Sequence, residues 1–381
     1  MKKHIVIFTF FLIAFVNQDT YACSTFMFSH GDELIVGHNL DDFIECPGLV
    51  VINKRGIKKR NISWQELIKG RKKNSPRIEW VSKYGSVTYN FVGVEFCDGG
   101  MNEAGLYVGE MNLAGTSYPK NKSLPQIWHT QWMQYLLDNF ASVEEVIESI
   151  SSVAIDGTCT WHFFIADRGG NSTIIEFLEG KPVIYSGEEM PVKVLCNSAY
   201  SNELKKIKNY EGFGGKKKID LVQRVADDRF LWAAFMMYQY DGNDQCRTVM
   251  DLGWDMLEQL SQVSSASVNK WRVIFDLKKG KLYFRTYLAR RVRYVDFSSF
   301  DFSSDDPPMI LDIHKDLSGD VSKYFSVYDP LQNKKHIEQT FKIIIAKEGI
   351  VEQILAKVFI APPVIKRMND WVNKFYPHLN E

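Results

Sequence analysis

A cysteine stands where an export signal would end, and the residues after it are typical of a β-hairpin. The stretch YACSTFMFSHGDELIVGHNLDD covers residues 21–42. Apolar residues alternate on both sides of Ser-His-Gly-Asp-Glu, which predicts two antiparallel strands joined by a turn at Gly31 and Asp32. Such pairing sets residue i opposite about residue 63−i. We therefore expect Cys23 to lie beside residues 39–41.

Residues 1–22 have the features of a signal peptide. A basic start precedes the apolar run 5–16, and a small residue, Ala22, comes just before Cys23. The run is too short to span a bilayer, and no later stretch approaches the length of about 18 apolar residues that would. We therefore expect export, to a periplasm or to the outside. A lipid anchor on Cys23 is the alternative, but the aliphatic residue usual three positions before such a cysteine is absent.

Cleavage before Cys23 would leave a thiol and a free α-amine on one residue. An α-amine has a reference pKa of about 7.7–8.0, so it can act as a general base without a neighbouring histidine. The thiolate is the reactive form and is favoured by positive charge, while Asp41 can orient the amine. The competing interpretation of a lone cysteine is a small buried apolar residue, and the position at the cleavage junction argues against it.

Composition excludes several classes of protein. Lys and Arg number 46, as do Asp and Glu, and no basic stripe with interleaved aromatic residues is present, so no nucleic-acid partner is expected. With 45% hydrophobic residues, the chain can bury a core of one large domain or slightly more. The six cysteines form no Cys-x-x-Cys pair, which argues against a zinc site or a disulfide scaffold.

The remaining pattern predicts strands interrupted by pairs of helices. Regular βαβ alternation is absent, so we expect an α+β fold of antiparallel sheets covered by helices. Strands are predicted at 84–94, 106–113, 160–167, 172–177, 182–185, 193–196, 271–275 and 282–286, and helices at 126–140, 143–150, 219–237, 248–260, 336–347 and 351–359. The domain boundaries are expected at a signal peptide over 1–22, a catalytic domain over 23–310 and a mainly helical extension over 311–381.

A cysteine–histidine pair is discounted. Cys159 and His162 are three residues apart on a predicted strand, so their side chains point to opposite faces. His162 is therefore predicted to be a hydrogen-bonded core histidine.

Six blocks of the chain carry family-specific patterns. They are Cys23 with GHNLD at 37–41, GMNEAGLYVGEMNLAG at 100–115, DNFASVEEV at 138–146, TWHFFIADRGGN at 160–171, VLCNSAY at 194–200 and DDRFLWAAF at 227–235. Together, and in this order, they resemble the choloylglycine hydrolase family. The resemblance implies a linear amide hydrolase with an N-terminal nucleophile and a four-layer αββα sandwich. It also implies a small-molecule N-acyl amide as substrate, with no metal or organic cofactor. Whether the protein forms homo-oligomers stays open.

The resemblance also implies roles for particular residues. Cys23 matches the nucleophile, and Asp41 matches the aspartate that contacts the catalytic α-amine. Asn112 and Asn197 match polar groups around the oxyanion and the amine, and Arg229 matches a charged member of the same cluster. The competing interpretations are that the two asparagines form turns and that Arg229 pairs with a neighbouring aspartate on a helix surface.

The chain departs from the family pattern at His38. Family members usually carry arginine at this position, which stays charged, whereas a histidine with a pKa near 6.5 is charged only in mild acid. We expect His38, if it lies near the Cys23 sulfur, to stabilise the thiolate only when protonated. Two alternatives stay open at this point: acyl transfer at the same site, and a secreted or lipid-anchored binding protein without turnover.

Overall fold

The structure of the protein is a computed structural model, which describes residues 23–42, 47–72, 74–157, 159–219, 228–240, 248–261, 268–303, 307–346 and 361–377. The predicted signal peptide and the predicted helix 351–359 lie outside the described residues. Within the described ranges, no helix is long and apolar enough to cross a bilayer.

The described strands are, in chain order, β1 (Ser24–His30), β2 (Glu33–Asp42), β3 (Leu49–Asn53), β4 (Lys58–Arg60), β5 (Glu79–Val81), β6 (Ser86–Asn90), β7 (Gly99–Asn102), β8 (Tyr107–Asn112), β9 (Gln126–Trp128), β10 (Ala154–Asp156), β11 (Trp161–Ala166), β12 (Ser172–Leu178), β13 (Lys181–Ser186), β14 (Val194–Leu195), β15 (Val268–Asp276), β16 (Lys281–Thr286), β17 (Arg293–Asp296), β18 (Met309–Asp312), β19 (Gly319–Asp320) and β20 (Ser326–Val327). The described α-helices are α1 (Trp64–Lys69), α2 (His129–Asn139), α3 (Val143–Ser149), α4 (Tyr200–Ile207), α5 (Arg229–Gln239), α6 (Val249–Leu260), α7 (Pro330–Ile345) and α8 (Ala361–Asn373).

Most of these strands belong to two large sheets. Sheet A has the seven-stranded order β14-β1-β2-β15-β16-β17-β19, and sheet B has the nine-stranded order β13-β12-β11-β8-β7-β6-β3-β18-β20. Helices α5 and α6 pack on the strands of sheet A, and α2 packs on β7 and β8 of sheet B. Tyr89 and Tyr107 of sheet B share one apolar cluster with Phe26 and Trp271 of sheet A. The predicted four-layer αββα sandwich is therefore confirmed.

The hairpin at the start of the described chain has the predicted register. Ser24 pairs with Asn39 and Thr25 with His38, so paired residue numbers sum to 63 as expected. Gly31 has a φ of 56°, a left-handed conformation that glycine adopts without strain in a two-residue hairpin turn. The apolar alternation and the turn residue together determine this register, because a slip of one residue would turn every side chain to the other face of the sheet.

Several other predictions are confirmed, and three helices begin at other residues than expected. The helix predicted over 219–237 begins at Arg229, with residues 220–227 outside the described ranges, and the helix predicted over 336–347 begins earlier, at Pro330. The hairpins β11–β12 and β15–β16 form as predicted. Thr248 caps α6 with a complete capping box, and Ser142 caps α3 by accepting from the Glu145 N–H. The helix predicted over 126–140 instead begins at His129, because Gln126–Trp128 pairs in parallel with Ala154–Asp156.

The last segment of the chain takes part in both sheets. Strand β18 spans the boundary expected after residue 310 and pairs with β3, while β19 joins the edge of sheet A. Helices α7 and α8 pack on each other, and residues of both share a buried cluster with Val51 of sheet B. The composition predicted helices here but gave no signal for these short strands.

Candidate active site

Cys23 immediately precedes strand β1 and is buried, with 3% of its surface exposed. Burial raises the pKa of the Cys23 thiol well above its ordinary value, and the charges of Glu110 and Asp41 raise it further. A hydrogen bond from the Asp41 backbone and the positive charge of Arg229 act in the opposite direction. The thiol is therefore protonated at neutral pH in this environment, and its use as a nucleophile requires a base that removes the proton.

Arg229, the first residue of α5, holds the start of β1 in place. Its Nη1 donates to the Cys23 carbonyl oxygen at 2.6 Å and to Ser24 Oγ at 3.0 Å. Its Nη2 donates to Asn197 Oδ1 at 3.0 Å. Arg229 is thus a member of the Cys23 cluster rather than only a surface helix residue. Ser24 was not singled out in the sequence, because a hydroxyl beside a candidate nucleophile carries no motif of its own.

Asn197 links Arg229 to the strand that carries Asn112. The Asn197 Nδ2 donates to the backbone oxygen of Asn112 at 2.8 Å, and the Thr160 hydroxyl donates to Asn112 Oδ1 at 2.8 Å. Asn112 ends β8 of sheet B, whereas Cys23 precedes β1 of sheet A. The site therefore lies between one end of sheet A and one end of sheet B.

Asp41 is fully buried and contacts an asparagine that the sequence analysis missed. Asn269 Nδ2 donates to Asp41 Oδ1 at 2.6 Å, and the two residues are paired across β15 and β2. The ladder shifts register between Asn269 and Trp271, where a β-bulge lies. No local pattern marks Asn269, since the predicted strand began two residues later and only the pairing of β15 with β2 brings it to Asp41.

His38 does not have the environment that the sequence predicted. Its side chain is 1% exposed, its Nδ1 lies 2.7 Å from Thr25 Oγ1, and its ring stacks on Tyr89 with ring centroids 5.6 Å apart. Burial lowers the pKa of His38 to about 3. The expectation that a protonated His38 stabilises the thiolate in mild acid is therefore wrong, because a neutral imidazole supplies no charge to Cys23 at those pH values.

The low pKa of His38 predicts how stability depends on pH. The pKa rises from about 3 in the folded chain to 6.5 in the unfolded chain, so the unfolded chain binds an extra proton between these values. The stability that the neutral His38 contributes is fully present above pH 6.5 and is lost as the pH falls toward 3. The free energy of unfolding then falls by about 1.4 kcal/mol per pH unit. The free energy of unfolding of His38→Gln, measured in urea, should therefore rise by about 2 kcal/mol relative to that of wild type as the pH falls from 6.5 to 5.

Comparing the pH dependence of stability in the variant and in wild type separates the effect of His38 from the effects of other buried titratable groups. Asp98, whose pKa burial raises to about 7, changes stability in the opposite direction but contributes equally to both proteins. His129→Gln should show a parallel gain, since burial also lowers the pKa of His129 to about 3. If the free energies of unfolding of His38→Gln and wild type differ by the same amount at every pH, His38 is not a buried, neutral imidazole in the folded chain.

The predicted core role of His162 is confirmed. Its Nε2 lies 2.7 Å from the Cys196 carbonyl oxygen and its Nδ1 lies 3.1 Å from Glu176 Oε1. Both ring nitrogens thus have partners other than Cys159. Among the residues that the structure describes, no three His, Cys, Asp or Glu side chains come together in a way that could hold a metal ion.

Comparison with known proteins identifies the family of this chain. The family model of the choloylglycine hydrolase family, linear amide C–N hydrolases, matches residues 23–310. Penicillin V acylase from Pectobacterium atrosepticum is 28% identical over 264 residues, which cover 59% of this chain and 69% of that protein.

Solved structures share the fold. Penicillin V acylase from Agrobacterium tumefaciens matches with a TM-score of 0.69 at 23% identity, covering 81% of this chain and 98% of that chain. A mutant of conjugated bile acid hydrolase from Clostridium perfringens matches with a TM-score of 0.62 at 18% identity, covering 81% of this chain and 99% of that chain. The chain belongs to the choloylglycine hydrolase family of linear amide C–N hydrolases.

Proposed function

We propose that the protein hydrolyses an N-acyl amide through a thioester on Cys23, after the peptide bond before Cys23 is cut. The observation that carries this proposal is the cluster around Cys23, in which Arg229 donates to its carbonyl oxygen and the backbone of Asp41 forms a hydrogen bond with its sulfur. The raised pKa of the thiol means that a base must take its proton. The α-amine of Cys23 supplies that base without a further side chain.

The reaction proceeds in two acyl-transfer steps. The Cys23 sulfur attacks the amide carbonyl carbon while the thiol proton passes to the α-amine, which then gives it to the leaving amine. Water next attacks the thioester, releases the carboxylic acid and restores the thiol. Asn112 and a backbone N–H, supported by Asn197, stabilise the oxyanion in both steps, a contribution of about 3–4 kcal/mol per donor.

The family and the relatives support a small-molecule acyl amide as substrate. Penicillin V and conjugated bile acids are the compounds in the relatives' names, so they are the first probes for this chain. The proposal includes removal of residues 1–22 by signal peptidase and a periplasmic or secreted location.

The proposal predicts one start site and a measurable released amine. Mature protein should begin at Cys23 by N-terminal sequencing, and it should release amine from penicillin V, a glycine-conjugated bile salt or an N-acyl amino acid. Mature protein that starts upstream of Cys23 and is fully active would overturn the mechanism, because its α-amine would be blocked. Folded, correctly processed protein that releases no amine from any of these amides would overturn the activity.

A further inference from the structure

A buried histidine and a buried glutamate lie against the segment 196–200, which carries Asn197. His162 is on β11 and Glu176 is on the neighbouring strand β12, and both side chains are 0% exposed. His162 Nδ1 lies 3.1 Å from Glu176 Oε1, so the two groups form a pair inside the protein. The proposed reaction uses neither group directly.

Each member of the pair forms a hydrogen bond with the backbone of that segment. His162 Nε2 lies 2.7 Å from the Cys196 carbonyl oxygen, and the Tyr200 N–H donates to Glu176 Oε1 at 2.8 Å. Cys196 follows β14 of sheet A, whereas β11 and β12 belong to sheet B. The hydrogen bond of His162 therefore joins the segment after sheet A to sheet B.

The partners determine where the protons of the pair lie. A carbonyl oxygen only accepts, so His162 Nε2 must carry a proton and donate it to Cys196. Because Nδ1 faces a carboxylate oxygen, one further proton lies between Nδ1 and Glu176. Neither group can turn away without leaving the other as an uncompensated buried charge, so the pair keeps one geometry.

Glu176 also takes the place of a local cap at the start of α4. The residue before this helix is Ala199, and no side-chain cap is formed there. The Tyr200 N–H is one of the first N–H groups of the helix, which have no partner within it. A carboxylate suits this positive end of the helix. The start of α4 is therefore held by a residue of sheet B.

Asn197 lies between these two anchored residues and connects parts of the candidate site. Its Oδ1 accepts from Arg229 Nη2 at 3.0 Å, and its Nδ2 donates to the Asn112 carbonyl oxygen at 2.8 Å. A guanidinium only donates and a carbonyl only accepts, so the Asn197 amide satisfies both partners in one orientation only. Keeping both bonds requires that the backbone around Asn197 stays in place.

We propose that His162 and Glu176 are positioning residues for Asn197. Their hydrogen bonds to Cys196 and Tyr200 fix the backbone on both sides of Asn197. The pair thus sets the place of this asparagine relative to the two sheets between which the site lies. The inference rests on the proposed function, in which Asn197 supports the group that stabilises the oxyanion.

The test compares two neutral replacements of the pair. Replacing His162 alone would leave the Glu176 carboxylate without a cation and destabilise the fold, so both variants also carry Glu176→Gln. In His162→Gln the side-chain amide nitrogen takes about the place of Nε2 and keeps a donor for Cys196. In His162→Asn the side chain is one methylene shorter and does not reach that oxygen. The two variants therefore differ in this one bond.

Losing the bond to Cys196 should slow the reaction more than it weakens substrate binding. His162→Asn/Glu176→Gln should have a kcat about tenfold below that of His162→Gln/Glu176→Gln, with KM within about twofold, because a displaced oxyanion group weakens the transition state more than the bound substrate. The variant with His162→Gln should keep kcat within about threefold of wild type. In an Asn197→Ala background the two should have equal kcat, since position 162 acts through Asn197.

A second measurement needs no substrate. Amide hydrogen exchange over residues 196–203, followed by mass spectrometry, should be faster in His162→Asn/Glu176→Gln than in His162→Gln/Glu176→Gln. The matched control is His336→Asn, which removes a comparable hydrogen bond from His336 Nε2 to the Phe91 carbonyl oxygen, at 3.0 Å, on α7. This control should leave kcat and the exchange of residues 196–203 as in wild type.

The outcomes separate this inference from the proposed function. Equal kcat or equal exchange in the two paired variants would overturn the positioning role, as would an equal loss of kcat in His336→Asn. A tenfold difference that persists in the Asn197→Ala background would also overturn it. A wild-type protein that hydrolyses no amide would overturn the proposed function instead, while the exchange of residues 196–203 would still decide whether His162 holds this segment.

Discussion

Replacing Cys23 with serine should lower kcat/KM for amide hydrolysis by about a thousandfold or more. Burial already raises the pKa of the Cys23 thiol well above its ordinary value. A serine hydroxyl in the same place is far less acidic still and is a weaker nucleophile, so transfer of its proton to an α-amine with a pKa near 8 is much less favourable in a site arranged for a thiol. The variant should fold normally, since one oxygen replaces one sulfur in a site that already holds polar groups.

The matched control is Cys97→Ser. Cys97 is also fully buried and burial also raises its pKa, but its Sγ donates to the Thr130 backbone oxygen at 3.7 Å, at a position outside the Cys23 cluster. This variant should keep wild-type kcat/KM. Mass spectrometry must show that Cys23→Ser still begins at residue 23, because a change in processing would block the α-amine. A correctly processed Cys23→Ser protein with wild-type activity would move the nucleophile elsewhere.

The second prediction with a large expected effect concerns the stability of the fold. It involves three buried, charged side chains that lie outside the Cys23 cluster. Lys59 Nζ lies 2.8 Å from Glu95 Oε2 and 3.1 Å from Asp138 Oδ2, and all three side chains are 0% exposed. Trp80 Nε1 donates to Asp138, and the Tyr376 hydroxyl, beyond α8, donates to Glu95 at 2.8 Å. The cluster therefore ties the C-terminal segment to β4 and α2.

Lys59→Met should destabilise the fold by about 3–5 kcal/mol at pH 7, because it leaves two buried carboxylates without a cation. Burial lowers the pKa of Lys59, but the attraction of Asp138 and Glu95 outweighs that effect and raises it overall. The lysine therefore stays charged in the folded chain at every pH below its raised value. The stability that this charge contributes would be lost only as the pH rises through that raised pKa.

The adjacent residue provides the control. Lys58 pairs with Glu79 at 3.2 Å on the surface, with 74% of its side chain exposed. Lys58→Met should change the free energy of unfolding by no more than about 1 kcal/mol. Adding Glu95→Gln to Lys59→Met should recover part of the loss, since it removes one of the uncompensated charges. Equal urea midpoints for the Lys58 and Lys59 variants would show that the buried lysine adds no net stability.

Local sequence patterns were sufficient to predict the elements that are stabilised by interactions between residues close together in the chain. Alternation and a glycine at a left-handed turn predicted the register of the first hairpin to within one or two residues, because register depends on how side chains alternate between the two faces and on the turn between the strands. The structure shows local side-chain caps at the starts of α3 and α6, from Ser142 and Thr248. Gln126–Trp128 was predicted as helix because its partner strand β10 is separated from it by the whole of α2 and α3, and no local signal reports such pairing.

The sequence by itself determined the candidate nucleophile, the order of the family motifs and the α+β class. Only the tertiary structure decided how the site is held together: Arg229 on the Cys23 carbonyl, Asn269 on Asp41, and the loss of charge on His38. The physical reason is that residue type gives a group's chemistry and its pKa in water, whereas burial and partners brought from distant strands decide its protonation and direction. His38 shows the difference most clearly. The sequence suggested that it acts through its charge, but burial between the two sheets makes it neutral, and its ring nitrogen lies against the Thr25 hydroxyl.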